Sequence, residues 1–98
     1  MLYLNKWQIA PEHRNEAMER FAASATDERY ALPEGVTQVC RYHNIATLSG
    51  VQIVEADDPA KVMQWAMVWN DILTITTEPV IEDEAAGAII GEKLASLG

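Results

Sequence analysis

The chain is short of several things, and each shortage removes a class of function. Cys40 is the only cysteine, so no intramolecular disulfide can form, and a reducing cytoplasm is the expected compartment. Seven Lys and Arg stand against 15 Asp and Glu, for a net charge of -8, and no basic run occurs. Phosphate backbones and anionic bilayers are bound through basic patches, so neither nucleic acid nor membrane is an expected partner. No apolar run approaches the ~20 residues that span a bilayer. The first residues, MLYLNKWQIAPEHR, lack the charged start, apolar centre and small-residue cleavage site of a signal peptide. There is no glycine-rich phosphate loop, no G-x-S-x-G and no H-E-x-x-H.

What is present is enough for one domain over residues 1–98. Residues 1–9, MLYLNKWQI, carry bulk on both alternating faces and predict a central strand. Pro11 opens a helix whose buried stripe is expected at Ala17, Met18, Phe21, Ala22 and Ala25, with Glu16 and Arg20 as an i,i+4 pair on a solvated face. Residues 26–35, TDERYALPEG, hold Pro33 and Gly35 and read as a connection anchored by Tyr30 and Leu32, or as a lid. VTQVCRYHN, residues 36–44, is a second strand, and residues 45–50 turn it into a third.

That third strand leads the clearest stretch of the chain, VQIVEADDPAKVMQWAMVWNDI, residues 51–72. Val51, Ile53 and Val54 predict a strand packed on both faces. Asp57 and Asp58 precede Pro59, a carboxylate cap followed by proline at the first helical position. Val62, Trp65, Ala66 and Trp69 then recur at helical spacing. Residues 73–82 alternate as a fourth strand, in which Pro79 demands an edge or a break. A weaker amphipathic helix over 84–97 places Ala86, Ile89, Ile90, Leu94 and Leu97 on one face. Its Gly87 and Gly91, each costing about 1 kcal/mol relative to Ala, read as sites of close packing.

The order is β-α-β-β-α-β plus a terminal helix, an α+β arrangement of the ferredoxin-like type. Two helices cover one face of such a sheet. The other face needs a cover too, and a second copy of the chain is the expected one, so a homodimer follows from leftover apolar surface.

Several short blocks also resemble a known family. MLYLNKW followed by PEH, then LPEGV, RYH before a hairpin, VEADDPA, and WNDI followed by EPVIEDE are similar to a small bacterial family, domain of unknown function 3303, over roughly residues 1–84. Where that family's second strand typically carries Arg-Trp-His, this chain has Arg41, Tyr42 and His43, and its hairpin IATLSG is poorer in glycine. The resemblance implies the dimeric α+β barrel superfamily, and with it a homodimer, but no reaction. That superfamily includes haem-degrading monooxygenases, whose pattern resembles a strand-one Asn, a Trp and a helix-two His. Asn5 matches the first, yet helix two has no histidine, so haem is not expected, nor any other cofactor.

The candidate chemistry is thin. Cys40 and His43 are an odd number of residues apart in a strand and fall on opposite faces, so they cannot share a metal. His13 and Glu16 lack further ligands, and no metal site is expected. One constellation remains: Arg41 and His43 on one face of strand two, Asn5 and Trp7 on strand one, and Trp65, Trp69 and Asn70 from helix two. Together these would line a small apolar pocket between sheet and helices with a few oriented donors. His43, beside Arg41, would stay neutral and serve as a base while Arg41 holds an anion. The bland alternative makes the tryptophans core and gives His43 a backbone carbonyl or Glu55 as partner. Two functions compete: binding of a small organic molecule by a cytoplasmic homodimer, or a cofactor-independent monooxygenase or isomerase acting on an aromatic or carbonyl compound.

Overall fold

A computed structural model describes residues Met1–Gly98. Four strands, β1 (Leu2–Ile9), β2 (Val36–Asn44), β3 (Ser49–Ala56) and β4 (Leu73–Val80), form one antiparallel sheet in the order β2-β3-β1-β4. The helices are α1 (Arg14–Ala23), α2 (Pro59–Trp69) and α3 (Asp83–Leu97). This is the expected ferredoxin-like α+β order, with β1 and β3 central. Pro79 lies on the edge strand β4, where its missing N–H breaks no ladder. A 3-10 turn over Pro11–His13 precedes α1, so the helix proper begins three residues after the proline.

α2 starts as its sequence requires. Asp58 Oδ1 accepts the Ala60 N–H at 2.9 Å, and Pro59 takes the first helical position. Val62, Trp65 and Trp69 are buried, with Ala66 partly so. They face the side of the sheet made by Tyr3, Asn5, Trp7 and Ile9 of β1 and by Gly50, Gln52, Val54 and Ala56 of β3. The core there has two parts: Tyr3, Val36, Val54, Ala56 and Val62 in one, and Ala17, Trp65, Trp69, Ile72 and Leu73 in the other. Tyr30 and Leu32 pack down on it from the connection after α1.

Three expectations need correction. The α1 stripe is buried only at Ala17; Met18, Phe21, Ala22 and Ala25 are exposed, because α1 lies toward the margin of the sheet. Arg20 is not on a solvated face. Its side chain is 13% exposed and donates to both carboxylate oxygens of Asp71, at 2.8 and 3.0 Å, and to the Val68 carbonyl at 2.9 Å. The Glu16 contact is a lesser one at 3.3 Å. Finally, α3 buries nothing: Ile89, Ile90, Leu94 and Leu97 are 58–70% exposed, and Gly87 and Gly91 meet no neighbour within 4 Å.

The second face of the sheet carries no helix. Leu2, Leu4, Cys40, Ile53 and Val80 are half-buried there, while Val51 and Tyr42 are exposed, so β3 is packed on one face within the chain. No helix is long and apolar enough to cross a membrane.

Candidate functional site

β2 carries the residues of interest, and a bulge decides where they point. Gln38 pairs with Val54 and Cys40 with Ile53, so Val39 is an extra residue without a partner. Strict alternation from the buried Val36 would send Gln38, Cys40 and Tyr42 toward the helices. The bulge reverses that order after Gln38. Arg41 opposite Gln52 and His43 opposite Gly50 thereby join the helix side, and Cys40 and Tyr42 go to the bare face.

On the helix side Arg41 and His43 meet α1. The Phe21 ring lies 5.1 Å from the His43 ring, edge-on, and the Arg41 guanidinium carbon sits 5.1 Å from the Phe21 centroid. Trp7 approaches His43 from the other side at 5.7 Å, again edge-on. Trp7 can lie there because residue 50 is glycine. A Cβ on Gly50 would fall against the Trp7 ring and 2.8 Å from the Tyr42 carbonyl oxygen. Burial against these rings, and then the adjacent Arg41 charge, holds the His43 pKa below its ordinary 6.5. His43 has no hydrogen-bond partner within the chain: Glu55 belongs to the bare face and bonds the N-terminal ammonium at 2.9 Å. Arg41 takes part in none of the five ion pairs. Both residues still keep much of their surface open, because Phe21 of α1 and Trp7 of β1 cover them only in part.

Asn5 sits deeper and does something else. Thr77 Oγ1 donates to Asn5 Oδ1 at 2.8 Å, Asn5 Nδ2 to Gln52 Oε1 at 3.1 Å, and Gln52 Nε2 to Gln38 Oε1 at 2.9 Å. This chain of side-chain bonds crosses all four strands and surfaces at Gln38, near Arg41 in β2. Asn5 and Gln52 are fully buried, and each meets the other's need, as buried amides must.

The expected constellation is therefore divided. Arg41, His43 and Trp7 come together with Phe21 on a partly open shelf. Asn5 lies in the buried relay, and Trp65 and Trp69 are core. Trp69 packs against Tyr30, and its Nε1 is buried without an acceptor. Asn70 is the exposed C-cap of α2, its amide 3.7 Å from the Met67 sulfur. Two clefts reach the bare face, and the first of them also touches His43 and Trp7. One, of about 330 Å³, lies around Gly50 between Lys6 and Tyr42. The other, of about 780 Å³, lies at the root of α3 between Leu2, Val80 and Ala85.

Phe21, Gln38, Gln52 and Thr77 escaped the sequence reading. Gln52 and Thr77 carry a signal, a polar residue at an inward position of a strand, whereas Phe21 reads as one member of an apolar stripe. No His, Cys, Asp or Glu side chains gather in threes as metal ligands would.

Comparison with curated proteins finds no match. The block pattern that ran from the first strand to the EPVIEDE segment does have a counterpart: residues 1–94 match the family described as Domain of unknown function (DUF3303), and the chain belongs to it.

Proposed function

We propose that the protein is a cytoplasmic homodimer that binds a small organic anion with a flat apolar part on the shelf formed by Arg41, His43, Phe21 and Trp7. The observation that carries this is Arg41. In a chain with 15 carboxylates it has no acidic partner, and it lies against an aromatic ring beside a histidine held neutral. A cation kept free of internal carboxylates, held over the Phe21 ring, suits a carboxylate or phenolate carried on an aromatic body. Gln38 offers a further amide at the inner end of the shelf. The dimer reading rests on the bare face, where Leu4, Thr37, Cys40, Val51, Ile53, Thr74 and Thr76 carry no helix over them. Its charges are paired within the chain, Lys6 on the central strand with Glu78 and the N-terminus with Glu55.

A second reading is favoured by His43 itself. An unprotonated imidazole next to a guanidinium can take a phenolic or α-carbonyl proton while Arg41 holds the anion formed, which is the chemistry a cofactor-independent monooxygenase or isomerase would need. One experiment separates the two. Thermal-shift and calorimetric titration with benzoate, salicylate and 1-naphthoate compares wild type, Arg41→Gln and His43→Gln. Binding lost in Arg41→Gln supports the shelf. Turnover of a bound phenol that disappears in His43→Gln while binding persists identifies an enzyme. Affinities unchanged in both variants would refute the site.

A further inference from the structure

α3 is a helix without a reason to be one inside its own chain. It spans 15 residues, buries none of them, and contains two glycines that lower its intrinsic helicity. An isolated helix of this length is marginal in water, so most of its stability must come from an apolar face that something covers. Its apolar stripe (Ile89, Ile90, Leu94, Leu97) has nothing of its own chain to cover it. Only Ile81 and Glu82 separate α3 from the edge strand β4, and with the helix extending from the body the whole chain measures 55 × 30 × 18 Å.

The missing cover can be sized. A chain of 10.9 kDa folded compactly exposes about 5,600 Å², but this one exposes 6894 Å². Its radius of gyration is 16.4 Å, where a compact chain of this length has about 12.6 Å. The surplus of about 1,300 Å² exceeds the roughly 800 Å² that each partner contributes to a stable interface. The cleft at the root of α3 is lined by Glu84, Ala85 and Ala88 of the helix and by Leu2 and Val80 of the bare sheet face, so the first turns of α3 reach that face while the Ile89, Ile90, Leu94 and Leu97 stripe stays clear of it. A second copy brings the same two surfaces, and a two-fold exchange satisfies both at once.

We infer that α3 is an exchanged arm: in the homodimer each α3 seats the Ile89, Ile90, Leu94 and Leu97 stripe on the other copy. This rests on the homodimer reading and adds to it that the arm, and not the sheet face alone, holds the pair together.

The test uses the full chain, wild type and Ile90→Asp/Leu94→Asp, by sedimentation equilibrium together with amide hydrogen exchange of residues 83–97. Both positions are exposed within the chain, so the fold of residues 1–80 should be unchanged by circular dichroism. A second variant, Leu94→Ser/Leu97→Ser, guards against effects of charge alone. The expected result is a wild-type dimer with protected α3 amides, a dissociation constant raised at least tenfold in both variants, and α3 protection lost when wild type is diluted to monomer. A wild-type dimer with unchanged dissociation constants in the variants, or with α3 amides exchanging freely, would overturn the arm while leaving a sheet-joined dimer standing. Protection that persists in the monomer would overturn it as well, by showing a cover within the chain. A wild type that is monomeric throughout would remove the dimer and the arm together.

Discussion

His43 and Trp65 show how little of a residue's role follows from its type. Both stand on apolar-rich stretches, yet one ends on an open shelf and the other in the core at 8% exposure. For His43 the environment lowers the folded-state pKa, so the unfolded chain binds its proton first as pH falls. The contribution to stability is therefore intact above 6.5 and declines as pH drops from there toward the folded value. NMR titration should find the His43 midpoint below 6.5, moving back up in Arg41→Gln as the neighbouring charge goes. A midpoint unmoved by that substitution would leave burial as the sole cause. Trp65→Ala should cost about 3–5 kcal/mol in urea unfolding, as truncation of a buried aromatic does. A loss below 1 kcal/mol would show that α2 does not rest on the sheet. Arg20→Met should cost about 1–2 kcal/mol: two charge-assisted bonds to Asp71 and one to Val68 disappear, discounted because Asp71 is 59% exposed. The same Arg20 holds the Asp71 carboxyl below its usual range.

Among the elements, those with strong local chemistry were readable in advance. α2 has an acidic cap, a proline at its first position and a helical stripe, and all three point the same way. Asp58→Ala should lower stability by about 1 kcal/mol through the lost bond to the Ala60 N–H, with helix content falling first near residue 59. The β2–β3 hairpin was less legible. Its turn puts Leu48 at φ 56°, a left-handed conformation more usual for glycine or asparagine, and Asn44 Oδ1 supports it by accepting the Thr47 N–H at 3.2 Å. Gly50, assigned from sequence to the loop, lies in β3 beneath the Trp7 ring. Gly50→Ala should displace that ring, red-shifting its fluorescence and loosening the contact with His43. Unaltered emission would mean that Trp7 does not depend on the missing Cβ.

For the molecule as a whole, the balance of covered and uncovered surface is the dominant fact. Only 13 of 98 residues are buried, so one copy by itself has a small core for its size. If a second copy supplies the cover, folding and association are linked, and the melting temperature should rise with protein concentration. Differential scanning calorimetry from about 5 to 500 μM checks this. A midpoint independent of concentration, with the mass of one chain by light scattering, would show that the monomer is stable as it stands.

The order of elements, the edge position of β4 and the inward face of α2 followed from the sequence, because alternation, capping residues and proline act over a few neighbouring residues. The same locality explains why the bare face and the apolar stripe of α3 could be named. Which residues meet on the shelf was decided elsewhere. A single unpaired residue, Val39, reverses the facing of everything after it in β2, and no local signal in VTQVCRYHN distinguishes the bulged strand from a regular one. Whether Arg41 and His43 stand beside Phe21 or point away from it depends on pairing with β3 and on α1 lying over the sheet. Those are long-range contacts, and only the folded chain brings them together.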